Sequence, residues 1–188
     1  MQITKTLYVR NAKEWRVWLK KNYNKKKEIW LIYYRKSSGR PRIDYNDAVN
    51  EALCFGWIDS IMKRIDDEKF AQRFTPRRPK SPISEMNKER VRRMIKKKKM
   101  TKAGLDAISN FFNKHTDKNQ LKIAPDILKA LKVDKKAWKN FQNFSEGYKK
   151  VRIGYIEHSR DAGKEIFEKR LRNFIKMTAK NNKFGMVK

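Results

Sequence analysis

The feature that most constrains the fold is the stretch Ala52–Ser60 (ALCFGWIDS), followed after a charged gap by Phe74–Pro79 (FTPRRP). Gly56 can adopt the left-handed conformation that ends a helix, so we expect a helix to end there and an apolar strand to begin at Trp57. Asp66–Glu68 supplies a turn for a returning strand. Prolines at three positions between residues 76 and 82 remove hydrogen-bond donors. The sequence therefore predicts an antiparallel hairpin that leads into a stiff, exposed arginine loop.

The rest of the N-terminal half supplies a further strand and several helices. Ile29–Tyr34 is apolar on both alternating faces, which predicts a central strand covered on both sides. Three helices are predicted from their capping residues and apolar stripes. The first covers residues 11–21 with Asn11 as its cap, the second is Tyr45–Phe55 after Asp44, and the third runs from Ser84 to about Lys99. Thr101 is the expected cap of the next helix, whose apolar stripe is Leu105, Ile108, Phe111 and Phe112.

The C-terminal half has helical spacing throughout. Pro125 suits the first turn of a helix, Asp134 and Ser145 precede two further apolar stripes, and a last helix is predicted from about Gly163 to Lys180. The chain is therefore predicted to have an α+β fold, with a small antiparallel sheet of about three strands packed by helices and an all-helical C-terminal half. We expect an α+β domain at 1–113 and a helical region at 123–188, joined by a polar run at 113–122, with the second region either separate or packed with the first as one unit.

The charge of the chain is strongly positive. Its 188 residues include 49 Lys and Arg against 20 Asp and Glu, a formal net charge of +29. A field of that size attracts polyanions such as nucleic acid or anionic lipid, but lysine-rich helix faces can also simply be solvated. Both interpretations stay open from composition alone. The densest patch lies between Pro76 and Ala103, where twelve Lys or Arg stand against two Glu.

A lone cysteine and the apolar runs bear on the compartment. Cys54 has no partner for an internal disulfide, which indicates a reducing environment. The N-terminus has no apolar core of a signal peptide, and the longest apolar run is far too short to span a bilayer. We therefore expect a cytoplasmic protein without membrane insertion.

Signals for catalysis are weak. His115 and His158 have no partners at metal-ligand spacing, and the seven glycines form no phosphate-binding loop. We therefore predict no catalytic residue, no metal and no cofactor. Asp59 is the one carboxylate that could serve as a general base, but the preferred interpretation is an ion pair with Arg77 or Arg78.

The arginine loop is the first candidate binding site. A rigid loop that presents two guanidinium forks, followed by the start of a helix, is suited to gripping a phosphate or a carboxylate. The candidate residues for this anion site are Trp57, Asp59, Phe74, Arg77, Arg78, Ser81, Ser84 and Asn87. The alternative, which the sequence leaves open, is that these side chains pin the loop to the sheet and cap the helix.

A nucleic-acid interface is the alternative function. The helix that follows the loop is basic on most of its surface and could contact phosphates. The residues of this face are Arg90, Arg92, Arg93, Lys96, Lys97, Lys98 and Lys99. An unknown anionic ligand, a partner protein and nucleic acid therefore all remain as candidate partners.

These motifs resemble those of the bacteriocin-protection proteins, the YdeI or OmpD-associated family. The resemblance rests on Glu51–Ser60, on Phe74–Pro79 with Ser81, Ser84 and Asn87, and on Met100–Leu105. Trp15, Trp18-Leu19 and Trp30-Leu31 add to it, and the second half agrees in Pro125–Leu128, Leu131, Phe141, Ser145, Tyr148 and Lys169–Leu171.

One position and one three-residue stretch depart from the family pattern. Ile83 stands where the family usually has tryptophan, and Glu165–Phe167 replaces its usual Glu-Thr-Arg. The resemblance implies a role in envelope stress and in protection against cationic or bacteriocin-like agents, without an established catalytic activity. Taken together with the arginine loop, the resemblance leads us to expect a non-enzymatic stress-protection or regulatory module with an anion-binding surface.

Overall fold

The computed structural model describes residues 2–79, 81–111 and 121–185. The chain divides into two compact units, which we describe separately. The N-terminal unit comprises Met1–Pro82 and Arg90–Asp117, and the C-terminal unit comprises Ile83–Glu89 and Lys118–Lys188. The predicted α+β class is confirmed, while the domain limits 1–113 and 123–188 stay a prediction. The predicted linker at 113–122 falls mostly outside the described residues.

The sheet of the N-terminal unit has four strands in the described residues, one more than expected. They are β1 (Thr6–Tyr8), β2 (Ile29–Tyr34), β3 (Trp57–Arg64) and β4 (Lys69–Pro76), in the order β1-β2-β4-β3. β1 pairs parallel to β2 and the other two pairs are antiparallel, so the sheet is mixed. The expectation of a purely antiparallel sheet of about three strands is wrong because a three-residue strand is too short to show alternation. The predicted central position of β2 and the β3–β4 hairpin are confirmed.

The described residues up to Phe111 contain four α-helices, namely α1 (Ala12–Asn22), α2 (Tyr45–Cys54), α3 (Glu85–Lys96) and α4 (Lys102–Asp106). Asn11 and Asp44 cap α1 and α2, accepting hydrogen bonds from backbone N–H groups at 3.0 and 2.7 Å. Gly56 follows α2 with φ +74°, which confirms it as the helix-ending glycine. α3 ends three residues before the predicted Lys99, because Lys98 turns into the left-handed region with φ +53°.

The aromatic residues of α1 pack on one face of the sheet. The Trp15 ring lies 5.4 Å from that of Phe74, and the Trp18 ring lies 5.8 Å from that of Trp57. Trp15 also donates its indole N–H to the Ala48 carbonyl of α2 at 3.0 Å. Each fully buried aromatic side chain contributes about 2–3 kcal/mol through the hydrophobic effect. This packing fixes the hairpin against α1 and α2.

The described part of the C-terminal unit contains α5 (Pro125–Val133), α6 (Lys135–Asn143), α7 (Glu146–Glu157) and α8 (Lys164–Ala179). The predicted caps Asp134 and Ser145 accept hydrogen bonds from Ala137 N and Tyr148 N. The buried core of this unit consists of Ile127, Leu131, Phe141, Phe144, Tyr148, Ile153, Ile156, Phe167 and Phe174.

Candidate functional site

The arginine loop is held together by one of its own arginines. The Arg77 guanidinium donates Nη2–H to the Ser81 carbonyl and, at 2.8 Å, to the Pro82 carbonyl. Its backbone N–H donates to Gly56 O at 2.8 Å, and its guanidinium lies 5.4 Å from the centre of the Phe111 ring. Desolvation lowers the pKa of Arg77. Arg77 therefore pins the loop, which is the alternative left open by the sequence, and only the exposed Arg78 is directed to solvent.

The two aromatic residues of the predicted anion site are internal. Trp57 is 1% exposed and donates its indole N–H to the Tyr23 carbonyl at 2.9 Å, while Phe74 is fully buried. A bound anion would have no access to either ring. Their role is to hold the hairpin. The sequence predicted them as binding residues because alternation within a strand does not show that α1 covers that face of the sheet.

Asp59 does not pair with an arginine of the loop. Its carboxylate accepts a hydrogen bond from Tyr45 Oη at 2.7 Å, and it makes no ion pair with Arg77 or Arg78. The predicted ion pair is therefore wrong. Burial, together with this hydrogen bond, raises the pKa of Tyr45 to about 12, so the proton stays on the phenol at neutral pH.

A polar cluster that the sequence did not indicate surrounds this hydrogen bond. Arg90 is buried and donates Nη2–H to Asn46 Oδ1 at 2.7 Å, with its guanidinium 6.0 Å from the centre of the Tyr45 ring. The Tyr33 hydroxyl is buried without a hydrogen-bond partner among the described residues, and burial raises the pKa of Tyr33. The only feature of the sequence that could have indicated this cluster is the polar character of its residues.

The serines at the start of α3 serve the local backbone. Ser81 supplies a carbonyl to the arginine loop, and Ser84 Oγ accepts a hydrogen bond from Asn87 N at 3.3 Å. Ser84 and Asn87 are counted with the C-terminal unit, whereas Ser81 is counted with the N-terminal unit. Ser84 is thus confirmed as the cap of α3.

Glu51 is a central residue that the sequence analysis did not single out. It is 3% exposed, and its carboxylate pairs with Arg16 Nη1 at 2.6 Å and with Lys99 Nζ at 3.1 Å. Arg16 also donates Nη2–H to the Lys99 carbonyl at 2.8 Å. Neither partner is near Glu51 in sequence, so no spacing rule for helical charge pairs could have found them.

The segment Lys96–Lys99, which we call the lysine turn, begins at the last residue of α3 and is fixed by backbone hydrogen bonds. Lys97 N, Lys98 N and Lys99 N donate to the carbonyls of Arg93, Ile95 and Met94 at 3.0, 2.8 and 2.9 Å. The side chains of Lys96, Lys97 and Lys98 are exposed, and they form no ion pair with any described residue.

The chain beyond the lysine turn is fixed to the end of α2. Thr101 donates both its backbone N–H, at 3.0 Å, and its hydroxyl, at 2.6 Å, to the Cys54 carbonyl. A Cβ on Gly104 would lie 2.2 Å from that same oxygen, so only glycine permits this approach of α4 to α2. The lysine turn is therefore held on one side by α3 and on the other by the Glu51 and Cys54 contacts.

The predicted nucleic-acid face is only partly exposed. Arg90 lies in the polar cluster and is closed to a phosphate, which corrects that part of the prediction. Arg92 is half-buried, whereas Arg93 and Lys96–Lys99 are exposed. The exposed cations of this face are thus concentrated at its C-terminal end.

The described residues contain neither a metal-binding cluster nor a membrane-spanning helix. Among the residues described, no three His, Cys, Asp or Glu side chains are grouped so that they could hold a metal ion. None of the helices in the described ranges is long and apolar enough to cross a membrane.

Comparison with known proteins assigns the two parts of the chain to different family models. No curated protein and no solved structure matches the chain. The model described as "Bacteriocin-protection, YdeI or OmpD-Associated" matches residues 120–181, so the resemblance is confirmed as a partial-chain match over the helical C-terminal part. The model described as "Domain of unknown function (DUF8412)" matches residues 7–107, which include the 51–60 and 74–79 motifs. Because that match spans slightly more than half of the sequence, the chain belongs to the DUF8412 family, with a bacteriocin-protection match over its C-terminal helices.

Proposed function

We propose that this protein is a non-enzymatic stress-protection or regulatory module that binds a phosphate-bearing polyanion through the lysine turn. The observation that carries the proposal is the side-by-side exposure of Lys96, Lys97 and Lys98 on a fixed stretch of backbone. The bacteriocin-protection match over residues 120–181 supports the stress-related role. The use of Asp59 as an acceptor for Tyr45 supports a non-enzymatic function, because the best candidate for a general base is already engaged.

Preorganisation is the first physical argument. The Glu51 carboxylate and the Arg16 guanidinium hold Lys99 through its side chain and its carbonyl. A ligand that binds the neighbouring lysines does not have to order this backbone, so less conformational entropy opposes binding.

The type of cation sets the ligand class. An ammonium group is a strongly hydrated point charge without the planar fork that reads carboxylate or base edges. Lysines on a turn therefore suit contacts with backbone phosphates, which position a polyanion without reading its sequence. Nucleic acid is accordingly the form of polyanion that we favour, and the small-anion site at the arginine loop is reduced to the exposed Arg78.

The experiment is a titration of labelled single- and double-stranded DNA and RNA by fluorescence anisotropy, repeated over a salt series. The test variant is Lys96→Glu/Lys97→Glu/Lys98→Glu. The chain offers a matched control in Lys25→Glu/Lys26→Glu/Lys27→Glu, a second run of three exposed lysines in the same unit. Both variants change the net charge equally, so they separate a site from diffuse charge.

The expected result is loss of affinity in the test variant with little loss in the control. Each phosphate contact contributes about 0.7–0.9 to the slope of log affinity against log salt, so the test variant should have a slope shallower by about 2–3. Equal losses in the two variants would assign binding to net charge alone. No binding to any nucleic acid at low salt would refute the proposal.

A cytoplasmic location is part of this proposal. Its support is the lone Cys54, which is buried and unpaired. Cell fractionation with an antibody to the chain tests it, and recovery in an oxidising compartment would count against it.

A further inference from the structure

A groove in the C-terminal unit is lined mainly by cations. It is open to solvent, has a volume of about 520 Å³, and lies between the start of α6 and the second half of α8. Four cations line it, namely Lys136, Arg172, Lys176 and Lys180. We call it the α8 groove.

Three of these cations form a regular stripe. Arg172, Lys176 and Lys180 are spaced four residues apart, which places them on one face along the end of α8. Like charges at that spacing repel one another, although cations near the C-terminus of a helix also interact favourably with its dipole. Among these four lining cations only Arg172 has a carboxylate partner in the described residues, Glu168 at 3.4 Å and on the exposed surface.

The groove combines this charge with an apolar floor and one engaged carboxylate. Ile175 and Ala179 line it and are half-buried. Asp134 is its one acidic lining residue, and its Oδ1 already accepts the Ala137 N–H at the start of α6 at 2.9 Å. The negative charge of Asp134 is therefore partly satisfied by the helix that it caps.

The walls of the groove are tied together. The Asn140 side chain donates its amide hydrogens to the Thr178 carbonyl at 2.9 Å and to the Ala179 carbonyl at 3.2 Å. These contacts fix α6 against the end of α8, so the cations and the floor are presented as one surface.

We propose that the α8 groove docks an acidic peptide segment that carries apolar residues between its carboxylates. The stripe rises about 6 Å per step and about 12 Å in all, which exceeds the reach of a single phosphate or carboxylate but matches carboxylates one helical turn apart. The small Ala179 side chain allows close approach, and Ile175 offers apolar contact that a phosphate backbone cannot use. Charge and apolar floor together fit an amphipathic acidic segment. The α8 groove shares no residue with the lysine turn.

The test uses the full chain and two labelled peptides of about 14 residues, the first with Glu at every fourth position and Leu on the adjoining face. The second peptide has Ser in place of Leu. The groove variant is Arg172→Glu/Lys176→Glu/Lys180→Glu. Its matched control, Lys122→Glu/Lys129→Glu/Lys169→Glu, reverses three exposed lysines of the same unit outside the groove. Circular dichroism establishes that each variant is folded.

We expect the groove variant to bind the Glu/Leu peptide about ten-fold or more weakly at low salt, and the control and the lysine-turn variant to bind it nearly as the parent chain does. Ile175→Ser should weaken the Glu/Leu peptide but leave the Glu/Ser peptide nearly unchanged. Equal losses in groove and control variants, or no binding by the parent chain, would overturn the proposal. Displacement of the peptide by DNA in the lysine-turn variant would overturn it as well, by making the groove a nucleic-acid surface.

Discussion

Removal of the Glu51 carboxylate should destabilise the N-terminal unit more than the loss of any surface ion pair. Glu51 contacts Arg16 Nη1 at 2.6 Å and Lys99 Nζ at 3.1 Å, and its side chain is only 4% exposed. Breaking a buried pair by removing one partner costs about 3–5 kcal/mol when the remaining charge stays buried. Here the Arg16 and Lys99 side chains are 35% and 48% exposed and can be rehydrated, so we expect less.

We therefore expect Glu51→Ala to lower the free energy of unfolding by about 2–3 kcal/mol, and Glu51→Gln, which retains the volume and one acceptor, by about 1–2 kcal/mol. At a chain length in the 150–250 range, each kcal/mol corresponds to a fall in Tm of about 2–4 °C. Urea unfolding followed by tryptophan fluorescence is the assay. It reports mainly on this unit, because four of the five tryptophans lie there and only Trp138 lies in the other.

The control is Asp67→Asn, which removes the exposed ion pair between Arg64 and Asp67 in the same unit. Its effect should stay within about 0.5 kcal/mol. A double variant, Glu51→Gln with Arg16→Met, should be less destabilised than the sum of its single changes, because it leaves no unpaired guanidinium. If Glu51→Ala changed the free energy of unfolding by less than about 0.5 kcal/mol, the carboxylate would not be the anchor that its contacts indicate.

Three further predictions concern other parts of the chain. Gly104→Ala would place a Cβ 2.2 Å from the Cys54 carbonyl oxygen, so we expect a loss of about 3 kcal/mol or more in thermal unfolding. Arg77→Ala should speed cleavage of the arginine loop by a protease of broad specificity that does not require arginine, since the loop carbonyls lose their donor, and an unchanged rate would contradict the pinning role. The hydrogen bond from Arg160 lowers the pKa of Asp126, so its stabilisation is complete above the ordinary carboxyl pKa and is lost as pH falls through the lowered value. Asp126→Asn should therefore flatten the acid limb of the stability profile, measured by urea unfolding at low salt.

The helix starts were predicted correctly from local sequence. Asn11, Asp44, Thr101, Asp134 and Ser145 each accept a backbone hydrogen bond at the helix that they were predicted to begin. Capping depends on atoms two or three residues apart, so the sequence contains all the information that it needs. The stop at Gly56 is local in the same way, because only backbone freedom at that residue is required.

The helix ends were predicted less accurately from the sequence than the helix starts. α3 stops at Lys96, and α4 stops at Asp106 before a short 3-10 turn at Ser109–Phe111, although the apolar stripe predicted a longer helix. The lysine turn is bound to Glu51 of α2, and the chain after it is bound to the Cys54 carbonyl. Such contacts override the helix propensity of residues that would otherwise continue the helix.

The candidate sites show the same division between features set by neighbouring residues and features set by tertiary contacts. Sequence identified the hairpin, the arginine loop and the basic segment after it, because composition and alternation are properties of neighbouring residues. Only the tertiary structure decided that Arg77 binds loop carbonyls, that Asp59 pairs with Tyr45, and that Arg90 is buried. Each of these depends on which distant group lies within hydrogen-bond reach, and that distance is set by how α1, α2 and the hairpin pack. The charge of the chain was thus determined by its sequence, while the subset of cations left available to a ligand was determined by its fold.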